Sequence, residues 1–229
     1  MTAHDIILIG GLWLDGSVWD DVAPTLEKLG HRPVPLTLPG QGDGTSATFD
    51  DQVAAVLAAV DAASGKPVVV GHSAASTLAW LAADARPDRV AKTVLIGGFP
   101  SVDGHKYAAF FEIRDGVMPF PGWGQFEGPD SADLDEATRE RIASRAVPVP
   151  EAVATGIVRL TDERRFDVPT VLVCPEFSPE QARAWIEAGD APELARAKHV
   201  EYVDIDSGHW PMVTRPDELA HLLAAAARN

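Results

Sequence analysis

The sequence predicts an α/β chain, a doubly wound and mostly parallel sheet of about six to eight strands with an inserted cap. Three observations predict it. Apolar runs of strand length alternate with alanine-rich stretches of helical spacing. Several of those runs lack polar alternation, as a sheet covered on both faces requires. One long stretch, 99–167, breaks the rhythm and exceeds any plain loop of a compact domain.

In chain order, IILIGG (6–11) is the first strand, and SVWDDVAPTLEKLG (17–30) follows as a helix that Gly30 would cap. PVPL (33–36) is the second strand. A helix over 48–65, with Gly65 at its end, leads to the valine-rich run PVVVGHS (67–73). AASTLAWLAADARP (74–87) reads as a helix stopped before Pro87, and AKTVLIGG (91–98) as the next strand. The insertion holds a glycine-, proline- and aromatic-rich stretch, a charged helix over 131–146, and VPVPEAVATGIVRL (147–160). PTVLVCP (169–175), a helix over 178–189, HVEYVDI (199–205) and a last helix over 216–229 complete the alternation. Residues 1–98 and 168–229 are therefore expected to form the core and 99–167 the cap.

Composition narrows the function classes. Acidic residues number 34 and basic ones 19, a formal charge of −15 with no basic patch, so nucleic acid and anionic lipid are excluded as expected partners. No run reaches the roughly 18 apolar residues of a spanning helix, and no secretory leader pattern is visible, so a soluble, cytoplasmic protein is expected. The single Cys174 allows no internal disulfide. No motif for a metal, nucleotide or flavin occurs; GQGDG (40–44) lacks the lysine-ended pattern of a phosphate cradle. No cofactor is expected, and the oligomeric state is left open.

The chemistry converges on VVVGHSAAS (68–76). A serine on a strained turn between strand and helix needs small residues two before and two after it, and Gly71 and Ala75 are such residues around Ser73. The following helix directs its positive end toward an oxyanion forming beside Ser73. A serine hydroxyl needs a base to take its proton. Of seven histidines, His209 alone lies between the last strand and the last helix, at the carboxyl end of the sheet where ligand chemistry gathers.

With IILIGGLWLDGSVWDDV, VPLTLPGQGDG, GHSAAS, PSVDG and GHWPMVTRP in this order, the chain resembles the α/β-hydrolase family along essentially its whole length. It looks closest to the small-capped branch of plant-type methylesterases and hydroxynitrile lyases. The resemblance implies an α/β-hydrolase fold with Ser73 as nucleophile and His209 as general base. It also implies that the backbone N–H groups of Leu12 and Ala74 are oxyanion donors. The family's histidine–glycine pair is replaced here by Gly10-Gly11, which keeps the main-chain donor. Relatives carry an aspartate after the strand 169–175, where this chain reads CPEFSPEQ. Glu176 is the nearest carboxylate, Asp103 the alternative, and absence of an acid the third reading; Glu180 is expected on a helix surface.

The leading expectation is a carboxylic ester hydrolase that cleaves a small, largely apolar ester or lactone through an acyl-enzyme. A lyase or cyclase on the same scaffold and a non-catalytic binding protein are the alternatives. The cyanohydrin-lyase version needs a threonine and a lysine where Gly11 and Trp210 stand. Trp13, Trp123 and Trp210, with Phe120 and Phe126, are candidates to line an apolar substrate pocket. Arg114 or Arg159 would be needed in the site for an anionic substrate.

Overall fold

A computed structural model describes residues 3–42 and 46–228. Asp43 and Gly44 of the GQGDG loop therefore lie outside the described residues. Strands β1 (Asp5–Ile9), β2 (Arg32–Leu36), β3 (Val68–His72) and β4 (Lys92–Ile96) come first. The short β5 (Val117–Met118) and β6 (Val149–Pro150) fall in the inserted segment, followed by β7 (Thr170–Cys174) and β8 (Val200–Asp204). Six of these form one sheet in the order β2-β1-β3-β4-β7-β8, every neighbouring pair parallel. β5 and β6 pair antiparallel by themselves. This is the predicted fold.

The pleat explains the unbroken apolar runs. Ile7, Ile9, Val69, Leu95 and Leu172 point into one core, and Ile6, Leu8, Val70, Val94 and Val171 into the other. The first core takes helices Phe49–Ala62 and Ser76–Ala85; the second takes Ala23–Lys28 and Pro216–Arg228. Helix Ser76–Ala85 buries all but one of its ten residues, so its small side chains let it lie close against the sheet. Gly30 has the left-handed φ of a helix-ending residue, as expected. Gly65 does not: Ala63, in extended backbone, already ends the preceding helix at Ala62. Among the described residues β2 is an edge strand paired with β1 alone. The Arg32 N–H points inward to the His4 carbonyl, so by alternation Pro33 and Pro35 fall where N–H groups would face outward.

Residues 99–167 enter both cores, through Tyr107, Met118 and Val153 on one side and Leu134 and Ile142 on the other. A buried ionic cluster ties residues 161–165 to helix Ser76–Ala85. Arg165 donates to Glu193 at 2.9 Å and to Asp84 at 3.2 Å, and Trp80 Nε1 donates to the same Glu193 at 2.9 Å. Asp84 also accepts from the Thr161 and Asp162 N–H groups. Arg165→Met would strand two carboxylates in a site nearly closed to water, and is expected to cost about 3–5 kcal/mol. Urea unfolding measures this; a loss below about 1 kcal/mol would mean that the cluster behaves like an exposed pair.

Candidate active site

β3 ends in a bend at Ser73. Its φ is 55°, in the left-handed region that L residues enter at a cost, and the chain continues through the short turn Ser73–Ala75 into helix Ser76–Ala85. Space explains the small residues around it. A Cβ on Gly71 would overlap the Ala75 carbonyl, and one on Gly98 would overlap the Ser73 carbonyl. One on Gly11 would come within 3.0 Å of Ser73 Cβ and 2.8 Å of His72 Nδ1. Leu12 and Ala74 are half-buried on either side. Among the described residues, the Leu12 N–H donates to no hydrogen-bond acceptor.

His209 follows β8 and stands at the same carboxyl end of the sheet. Its Nδ1–H donates to Glu176 Oε1 at 2.7 Å. A carboxylate only accepts, so a neutral imidazole keeps its proton on Nδ1 and its lone pair on Nε2. Glu176 lies just beyond β7, and its Oε2 is buried without a hydrogen-bond partner among the described residues. Gly97, with φ 59°, lets both groups close in: a Cβ there would stand 3.2 Å from Glu176 Oε2 and from His209 Nδ1. Asp103 is exposed and accepts from the Leu160 N–H at 2.9 Å, so the carboxylate hydrogen-bonded to the His209 imidazole is that of Glu176. Glu180 lies on a helix surface beside Arg183.

His72, the histidine inside the GHSAAS stretch, is fully buried next to His209, with ring centroids 4.8 Å apart. Its Nε2–H donates to the His209 carbonyl at 2.7 Å. Burial, and then the neighbouring His209, hold its imidazole well below the ordinary value, so it stays neutral. The unfolded chain therefore takes up a proton that the native one refuses. Stability from this residue is full above about pH 6.5 and falls as pH drops below it, by up to about 1.4 kcal/mol per unit. His72→Asn, which keeps a donor for the carbonyl, is expected to flatten that slope. Urea midpoints at two pH values measure it, and equal slopes in both proteins would contradict it.

The aromatic candidates pack against one another in and beside the two cores. Trp13, at φ 64°, is buried; its Nε1 donates to the Met118 carbonyl, and its own carbonyl accepts from the Val147 N–H. Its ring meets Phe111, Phe120 and Phe126 at 5.3–6.0 Å. Trp123 and Trp210 stand edge to face at 5.2 Å, with Trp210 buried. A cavity of about 20 Å³ adjoins Gly11, Leu12, Trp13, Tyr107 and Val153. Arg114 is exposed and paired with Glu112, and Arg159 is exposed. Among the described residues no group of three or more His, Cys, Asp or Glu is placed to hold a metal ion.

The strained bend at Ser73 and the carboxylate-bound His209 both stand at the carboxyl end of one parallel sheet, the architecture of an alpha/beta hydrolase. The chain belongs to the alpha/beta hydrolase family, whose pattern it matches over residues 6–222. It is 26% identical to the pimeloyl-[acyl-carrier protein] methyl ester esterase of Aliivibrio salmonicida, over 93% of this chain and 88% of that one. It is 25% identical to methylesterase 9 of Arabidopsis thaliana, over 98% of each, which bears out the resemblance to plant methylesterases. Among solved structures, an extracellular alpha/beta-hydrolase from a Paenibacillus species superposes with a TM-score of 0.77 at 19% identity, covering 99% of this chain and all of that one.

Proposed function

We propose that the protein is a carboxylic ester hydrolase that cleaves small, largely apolar esters or lactones through an acyl-enzyme on Ser73. The observation that carries this reading is the 2.7 Å hydrogen bond from His209 Nδ1 to Glu176, at the same end of the sheet as the strained Ser73. The relatives named above, a methyl ester esterase and a methylesterase, support hydrolysis of a carboxylic ester.

In this mechanism His209 Nε2 takes the Ser73 hydroxyl proton as the oxygen attacks the ester carbonyl. The N–H groups of Leu12 and Ala74 hold the resulting oxyanion, and Glu176 stabilises the imidazolium. The imidazolium then protonates the leaving alcohol. A water, deprotonated by the same base, frees the acid and restores Ser73. Residues 99–167 act as the cap over this site, a role supported by the packing of Phe111, Phe120 and Phe126 onto Trp13. The partner is a small molecule. A lyase or cyclase on the same scaffold is the second reading, and the relatives named as esterases favour hydrolysis over it. The protein works in the cytoplasm, a reading consistent with its single, buried cysteine.

Fluorophosphonate labelling with peptide mapping, beside turnover of a panel of short esters and lactones, tests the proposal. Ser73 is expected to carry the label, and short-chain esters are expected to turn over. Turnover with Ser73 unlabelled would overturn the acyl-enzyme.

A further inference from the structure

The loop that carries His209 is tied to the inserted segment as well as to the sheet. The Gly208 N–H donates to Asp133 Oδ2 at 2.8 Å, across 75 residues of chain. The Ser207 hydroxyl reaches the same oxygen at 3.4 Å, and the His209 N–H donates to the Asp130 carbonyl at 2.8 Å. A Cβ on Gly208 would overlap both the Asp130 carbonyl and the Asp133 carboxylate, so this approach requires glycine there. The receiving turn is itself anchored. Ser131 Oγ donates to the Phe126 carbonyl at 2.6 Å, and Arg139 donates to the Ser131 carbonyl at 2.7 Å. From beneath, His72 holds the His209 carbonyl. The main chain of His209 is thus fixed at its N–H and at its carbonyl, and the residue before it is fixed by a carboxylate.

We propose that Asp133 is a positioning residue for His209: by holding Gly208 to the inserted segment it sets the direction in which the imidazole points. The proposal rests on the reading of Ser73 and His209 as nucleophile and base. The bond needs only an acceptor at this place, so the role is one of geometry and not of charge. A displacement of about 1 Å at a reacting group costs on the order of a hundredfold in rate, so losing one of several tethers is expected to cost about tenfold.

Asp133→Ala is therefore expected to lower kcat for a short p-nitrophenyl ester about tenfold, with KM within about twofold. Asp133→Asn, whose amide oxygen still accepts from Gly208, is expected to stay within about threefold of the parent with an unshifted pH profile. Asp133→Ser, too short to reach Gly208, covers the case in which the alanine variant does not fold and is expected to behave as it does. Tm is read alongside each. Undiminished kcat in Asp133→Ala overturns the proposal. Equal losses in the alanine and asparagine variants, with a moved pH profile, overturn it too, because charge would then be the cause. Ser73→Ala run in parallel separates the two levels. If it retains turnover, the reading of the site fails; if it is inactive while Asp133→Ala is fully active, only the positioning role fails.

Discussion

Ser73→Ala is expected to lower kcat for ester hydrolysis by about a millionfold while leaving KM within a few-fold. Removing Oγ removes the atom that would bond to the acyl group. The N–H groups of Leu12 and Ala74, the proposed oxyanion donors, are untouched, so a residual rate about 10³–10⁴ above that in water is expected. The substitution is a clean one for folding. Alanine meets the same left-handed backbone as serine at φ 55°, and the surrounding Gly11, Gly71 and Gly98 keep their clearances. Steady-state turnover with a short p-nitrophenyl ester, beside an unchanged Tm, checks it. Activity within about a hundredfold of the parent would assign the chemistry to another group.

Glu176→Gln is expected to cost about 10⁴ in kcat, again with little change in KM. The amide is nearly isosteric, so the loop after β7 has no reason to move. What changes is the proton. A glutamine can present its NH₂ to Nδ1, which favours the tautomer protonated on Nε2, the wrong nitrogen to receive the Ser73 proton. The buried Oε2, with no partner among the described residues, leaves the carboxylate's charge directed at the imidazole. Asp103→Asn provides the contrast: its tie to Leu160 is structural, and kcat is expected to stay within about twofold. A glutamine variant with nearly full activity would remove Glu176 from the mechanism.

The parallel sheet was legible because both of its faces are covered, so that each central strand reads as an uninterrupted apolar run. The bend was legible because Gly71 and Ala75 answer to local crowding, and local crowding follows from spacing along the chain. The contact between Glu176 and His209 was legible only in that Glu176 is the nearest of several carboxylates, since whether it or Asp103 meets the imidazole depends on where two loops meet. Asp133 and Asp130 carried no signal at all: their contacts with Gly208 and His209 join distant stretches. β5 and β6, two residues each, are too short for any period to appear. Helices Pro192–Arg196 and Pro211–Thr214 escaped for the same reason. The pair Gly97-Gly98 could have been read, because two glycines ending a strand beside the serine strand mark a close approach of backbone.

The prolines of β2 also limit how the molecule can associate with its own kind. A free sheet margin ordinarily recruits a further strand through outward amide hydrogens, the route by which proteins dimerise edge to edge or polymerise. Along that margin two of the needed donors do not exist, because Pro33 and Pro35 occupy their places. Any growth of the sheet across molecules must therefore start from the opposite border, at Val200–Asp204, where Glu201 and Asp204 would set negative charge against negative charge.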